Sequence, residues 1–383
     1  MNVEQFKWTK SNGWQPNFPG ELSNKAQLVL LFGARSILEE RGIDDIVKAY
    51  PHAKVFGCST AGEIINTQVL DDSLVVTAVH LENTRVNGAC VKIADFENIF
   101  AVGERLAESI AGDGLAHTMV LSEGIGVNGS DLVRGITKHL PKGVTVTGGL
   151  AGDGADFFKT CVIYDGKLEY GSAAIIGFYG DKLFVGYASA VGWDPFGPDR
   201  LITKSDGNVL YELDGRSALE LYKKYVGEYA GKMPGGLTAM SLFFPLGLRM
   251  KSGDERRVVR AFLAFDEEKQ SMSFAGDVPV GCYARLMKAN FDHLLNGAVD
   301  AAQISRDAIG HDKAEIALLI NCIARKLVLK QRTEEEIEAV HNVLGSETVM
   351  TGFYSYGEIA PFMPGVDADL HNQSMTITTL RES

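Results

Sequence analysis

Two octapeptides place binding-type residues at matched spacing. Gly57-Cys58-Ser59-Thr60-Ala61-Gly62-Glu63-Ile64 and Gly352-Phe353-Tyr354-Ser355-Tyr356-Gly357-Glu358-Ile359 both read G-x-x-x-x-G-E-I. Each follows a short apolar run, Lys54-Val55-Phe56 in one case and Thr348-Val349-Met350 in the other. A looser third copy, Thr147-Gly148-Gly149-Leu150-Ala151-Gly152-Asp153, follows Val144-Thr145-Val146. Glycine at a strand end permits left-handed backbone and close approach to a ligand. The acid that follows is a fixed charge at the mouth of the same turn. Gathered around one pocket, Glu63, Asp153 and Glu358 can hold an ammonium group. Arg325, a few residues past a strand end, can hold a carboxylate by a bidentate pair. Tyr354 and Tyr356 offer apolar faces with hydroxyl handles, and strict alternation would turn only one of them to the pocket. That set suits an amino acid. Each residue also has a purely structural reading, a loop carboxylate accepting backbone N–H groups or an arginine paired inside the fold.

Other residues invite other chemistry. Cys322 follows Asn321, a candidate N-cap, and a thiol at a helix N-terminus can ionise more readily. With His371 and Glu358 it supplies the residue types of a cysteine enzyme. A buried, inert cysteine is the commoner case, for Cys322 and for Cys58 alike. Gly124-Ile125-Gly126-Val127-Asn128-Gly129 reads G-x-G-x-x-G. The dinucleotide fingerprint also needs an acid at the tip of the next strand, where Gly148-Gly149 stands, so a loop into a helix capped by Ser130 or Asp131 is the better reading. Haem needs an axial ligand; there is no C-x-x-C-H among eight histidines, and His371, His293 and His341 are the candidates.

The elements that must position these residues repeat as well. Apolar runs begin at Ala26 and Ala116, 31 residues before Gly57 and Thr147, and at Ala314, 38 residues before Gly352. Run, helix and run at this spacing is the size of a βαβ crossover, so the chain reads as three copies of one unit. Helices are expected over 36–50, interrupted at Gly42, and over 99–110 and 216–226, with a long one over 284–309. Strands are expected at 74–79, 86–93, 158–164, 173–179, 183–190, 209–211, 240–244, 258–265 and 375–380. Hairpins are expected between the first two of these and at Asp165-Gly166 and Gly180-Asp181. The segment Gly192 to Pro198 breaks the pattern and reads as a junction. The expected class is α/β, with mixed sheets built from repeated strand-helix-strand units and inserted antiparallel hairpins, in two halves with one sheet each. The boundaries are an extension at 1–24, an N-terminal domain at 25–192, a junction at 193–205 and a C-terminal domain at 206–383.

Composition limits the partners. The 383 residues are 45% hydrophobic and 22% charged, with a net charge of −12. An acidic surface argues against nucleic acid and anionic membranes. Five scattered cysteines suggest free thiols in a reducing compartment. The polar N-terminus is no signal peptide and no apolar run is long enough to span a bilayer, so a cytoplasmic protein is expected.

Taken together, these motifs resemble a known family. Ile320-Asn321-Cys322-Ile323-Ala324-Arg325, the octapeptide at 352–359 extended through Ala360-Pro361, and Leu370-His371-Asn372-Gln373-Ser374 resemble the FIST C-terminal domain. The octapeptide at 57–64 and Gly148 to Asp153 resemble the FIST N-terminal domain. The name stands for F-box and intracellular signal transduction. The resemblance implies a sensory module that binds a small ligand, with amino acids proposed, and that acts through a signalling partner such as a histidine kinase. It also implies an alternative, a haem-binding nitric-oxide sensor regulating such a kinase, with His371 the axial candidate. The expected ligand set is Cys58, Ser59, Thr60, Glu63, Gly149, Leu150, Asp153, Cys322, Arg325, Tyr354, Tyr356, Glu358 and Asn372, with no catalytic residue and no resident cofactor.

Overall fold

The computed structural model describes residues 1–230, 242–249, 257–310, 313–363 and 365–383. Three copies of one unit form its body. Each copy has an edge strand, a run strand, one or two helices, a glycine strand, a short hairpin and a closing strand. In the first copy the strands are Asn2–Thr9, Leu28–Gly33, Lys54–Ser59, the hairpin Glu63–Ile65 and Gln68–Leu70, and Ser73–His80. In the second they are Arg85–Lys92, Leu115–Ser122, Thr145–Leu150, Val162–Tyr164 and Lys167–Glu169, and Ser172–Tyr179. In the third they are Leu183–Ala190, Ile316–Cys322, Val349–Ser355, Gly357–Pro361 and Ala368–His371, and Met375–Glu382. In each copy the run and glycine strands are parallel, and the closing strand pairs antiparallel with the run strand.

The hairpins are exchanged in a ring. The first copy's hairpin pairs with the third copy's glycine strand, Glu63 opposite Phe353. The third pairs with the second, Glu358 opposite Gly149, and the second with the first, Val162 opposite Cys58. Three sheets of matching strand order result, each knitted to the next. Their inner faces meet in one core that takes Leu30, Met119 and Leu318 from the same register of the three run strands. His117 stands where the other copies have Leu28 and Ile316. It is wholly buried between the hydroxyls of Thr145 and Thr147, at 2.8 and 3.0 Å, and burial pushes its pKa down to about 3, so the imidazole is neutral.

The repeated glycine therefore lies within a strand and not in a loop. Gly57, Gly148 and Gly352 face Leu31, Val120 and Leu319 of the parallel partner. A Cβ at these glycines would sit 1.7, 1.8 and 1.9 Å from the partner's carbonyl oxygen. The residue across from each on the exchanged hairpin is Ile163, Ile359 and Ile64 respectively, which accounts for the isoleucine of the motif.

A fourth sheet interrupts the third copy between its edge strand and the helix Phe291–Ala308. It runs Val258–Arg260, Leu246–Arg249, Tyr283–Ala289, Trp193–Asp206, Val209–Leu213, Ser271–Phe274, Phe262–Asp266, with Arg216–Ser217 against Val209–Leu213. The helix Ala218–Ala230 contributes Leu219, Tyr222 and Val226 to its core.

The α/β class with mixed sheets holds, but several expectations change. Among the described residues there are four sheets, and two of them take strands from both sides of residue 193. Of the hairpins, only that at Asp165-Gly166 forms. Strands 73–80 and 172–179 already have partners on both edges, so the chain after each must enter another sheet. The segment at 192–198 is mostly the start of the long strand Trp193–Asp206. The long helix begins at Phe291 because Tyr283–Ala289 is taken as a sheet strand. The expected strand 158–164 shortens to Val162–Tyr164. Met240 and Ser241 lie outside the described residues, Leu242 to Phe244 are irregular, and the strand is Leu246–Arg249. The second copy's helix is capped by Asn128, whose side chain accepts from Ser130 N. The first residues, expected as an extension, include a strand paired with Ser73–His80 along its whole length.

Candidate functional site

A cleft of about 420 Å³ opens where the first copy's strand ends meet the second copy's turn. Arg35, the turn Thr60 to Glu63, Asp71 and Asp72 form one wall, and Asp153 to Asp156 form the other. This is the carboxyl end of parallel strands, where α/β units gather ligands. Arg35 stands two residues past the end of the run strand and opens the helix Arg35–Arg41. Its Nη1 donates to Glu39 at 2.8 Å. Its Nε, buried and without a hydrogen-bond partner among the described residues, lies 3.9 Å from the Asp153 carboxylate, and its Nη2 lies 4.0 Å from Asp156.

The far wall is tied down. Asp153 accepts from Phe158 N and Lys159 N, at 2.9 and 2.8 Å, and from the Tyr356 hydroxyl. That hydroxyl also accepts from Asp153 N and Phe157 N, at 3.2 and 3.3 Å. Phe157 stacks on Tyr356 at 4.5 Å and holds a φ of +51°, a left-handed value that a phenylalanine adopts only when its surroundings fix it. Tyr356 thus anchors the cleft wall from the third copy.

Glu63 and Glu358 prove to be twins. Glu63 is bonded by the hydroxyls of Thr60 and Ser73, and Glu358 by those of Ser355 and Ser374 and by Ser374 N. Both are wholly buried, and burial pushes each pKa up to about 7 against the opposing pull of these hydrogen bonds. Ser73, Ser172 and Ser374 share one register, each at or just before the start of the closing strand. In the second copy the matching position for the glutamate is Val162 and not Asp153, since eight extra residues (162−148 against 63−57) carry Asp153 away to the cleft. Ser172, lacking a carboxylate, turns to the Tyr170 carbonyl at 3.0 Å. The residue before each serine is left-handed, with φ of +50° at Asp72, +59° at Gly171 and +57° at Gln373.

Of the expected ligand set, Thr60, Glu63 and Asp153 line the cleft and Tyr356 braces it. The others are placed elsewhere. Arg325 is wholly buried, paired with Glu336 and donating to the carbonyls of Val191 and Leu294, so its guanidinium is used inside the fold. Cys322 is itself the residue before the helix Ile323–Leu329, but burial and the nearby Glu358 push its thiol up, as burial does for Cys58. Neither is an activated nucleophile. Ser59 accepts from Cys161 N at 3.0 Å, Gly149 and Leu150 pair with the third copy's hairpin, and Asn372 lies under the fourth sheet near Ala261 N. Tyr354 is buried beneath Lys326, whose ammonium stands 5.4 Å over the ring and reaches Asp71 and the Ala61 carbonyl. His371 is buried with its Nε2 on the Ala360 carbonyl at 2.9 Å and does not line the cleft, so it does not fit an axial haem ligand. Among the described residues no group of three or more His, Cys, Asp or Glu is placed to hold a metal, and no helix is long and apolar enough to cross a membrane. Arg35 was missed by motif reading. The strand-end rule that singled out Arg325 applies more directly to Arg35, two residues after Gly33.

Comparison with known proteins agrees with the motifs. Residues 27–216 match the FIST N domain and residues 218–361 match the FIST C domain. The chain belongs to the FIST family, whose domains are sensory domains of signal transduction. It is similar to an uncharacterized protein, MJ1623, of Methanocaldococcus jannaschii, at 27% identity over 206 residues, 51% of this chain and 38% of that protein. The chain thus spans well under half the length of that relative. A crystal structure of a chorismatase aligns over 99% of this chain and 98% of its own, with 10% identity and a TM-score of 0.35, a level at which neither fold nor function transfers.

Proposed function

We propose that this protein is a cytoplasmic sensor whose ligand, an amino acid, binds in the cleft between Arg35 and the acids of the first two copies, and which acts through a signalling partner such as a histidine kinase. The observation that carries the reading is Arg35. A buried guanidinium Nε without a hydrogen bond is costly, and a ligand carboxylate would complete it. The acids around it suit the ligand's ammonium. Because one wall comes from the first copy and the other is braced by Tyr356 of the third, a bound ligand would draw the copies together. A ligand can signal only by favouring one of two states, and such closure is one way to do so. Free thiols at Cys58, Cys90, Cys161 and Cys322 suit a reducing compartment. Mass spectrometry of small molecules that co-purify with the protein tests the reading. An amino acid should accompany the native chain and be absent from a folded Arg35→Met variant. An identical inventory from both would count against the cleft.

A further inference from the structure

The cleft carries more negative charge than a simple amino acid would need. Of its carboxylates, Glu63 is held by hydroxyls, Asp153 by the Tyr356 hydroxyl and backbone N–H groups, and Asp71 by Lys326. Two remain. Among the described residues Asp72 makes no hydrogen bond or ion pair, and Asp156 has only Arg35 at 4.0 Å. Both line the cleft, one between the first copy's hairpin and closing strand and one on the second copy's turn.

The three-fold repeat supplies an internal control. The register of Asp71-Asp72 is occupied by Tyr170-Gly171 in the second copy and by Asn372-Gln373 in the third. All three turns have the same left-handed residue before the serine, so the backbone is built equally well from a glycine or an amide. The register of Arg35 holds Gly124 and Ile323. The fold therefore demands neither the arginine nor the acid pair, and they occur together only where the cleft is open.

We infer that the cleft selects an amino acid with a second cationic group, of the lysine or arginine type. Its carboxylate meets Arg35, and its two cationic groups meet Asp72 and Asp156. This rests on the amino-acid reading of the cleft. Both carboxylates are exposed, so each contact contributes only a few-fold in affinity and is screened by salt.

L-Lysine and L-norleucine differ only by the terminal ammonium, and calorimetric titration of the whole protein with each isolates its contribution. Lysine should bind a few-fold more tightly at low salt, with the ratio shrinking as salt rises. Asp72→Asn combined with Asp156→Asn should bring the two affinities together, with norleucine still bound and the melting temperature unchanged. Equal or tighter binding of norleucine to the native protein would overturn the inference and leave the amino-acid reading standing. A lysine preference that survives in the double variant would overturn the assignment to these two acids. Failure of both compounds to bind, with a neutral or acidic amino acid binding instead, would overturn the inference alone. Failure of every amino acid would remove the reading beneath it.

Discussion

Glu358 permits a prediction with a worked magnitude. Burial raises its pKa from an ordinary 4.5 to about 7. A carboxyl with a higher pKa in the folded state contributes stability that is fully present below the unfolded value and is lost as pH rises through the folded one. Every pH unit separating the unfolded and folded values is worth about 1.4 kcal/mol, so the full span is about 3 kcal/mol, of which about 2.5 falls between pH 5 and pH 8. Glu358→Gln keeps the size and an acceptor for Ser355 or Ser374 but cannot ionise. Relative to the native protein, the variant should therefore gain about 2.5 kcal/mol as pH rises from 5 to 8. Urea unfolding followed by tryptophan fluorescence, run on both proteins across that range, reads the difference directly. Other titrating groups cancel in the subtraction. A difference that stays flat with pH would show that the carboxyl is ionised at low pH despite its burial, and the reasoning from desolvation would fail for its twin Glu63 as well.

Further outcomes follow from the same geometry. Arg325→Met should destabilise the fold by about 3–5 kcal/mol, since it strands Glu336 as a buried charge, and thermal melting checks it. Gly148→Ala should prevent folding, with its Cβ 1.8 Å from the Val120 carbonyl oxygen, whereas Gly154→Ala, at a φ of +71° with nothing within 4 Å, should cost only about 1 kcal/mol by urea unfolding. Tyr356→Phe removes the hydroxyl that joins Asp153, Gly154 and Phe157, so hydrogen exchange should quicken across residues 153–159 at a stability cost of about 1–3 kcal/mol.

The repeats were legible because they are local: an apolar run, a helix and a glycine strand lie within one crossover. What each glycine does was not legible, since its reason is a carbonyl on a strand some thirty residues away. The exchange of hairpins was equally hidden. Glu63 and Ile64 look like the tail of their own loop, yet they pair with a strand nearly three hundred residues distant. The same exchange decided the site. It brought Thr60, Glu63 and Asp153 to one cleft, and it left Asn372 under the fourth sheet. Motif matching equated Asp153 with the two glutamates, because sequence spacing cannot show that the second copy's turn is longer and that Val162 holds the register. Arg325 and Arg35 are both arginines near strand ends. Only the packing of Glu336 on Arg325 tells a structural guanidinium from an available one.

The central claim is that Arg35 receives a ligand carboxylate in the cleft between the first two copies. Calorimetric titration of the amino acids into the native protein and into Arg35→Met tests it most directly, with melting curves to show that both are folded. At least one amino acid should bind the native protein, and the variant should lose that binding. Undiminished binding to Arg35→Met would contradict the claim, as would the absence of binding by any amino acid to the native protein.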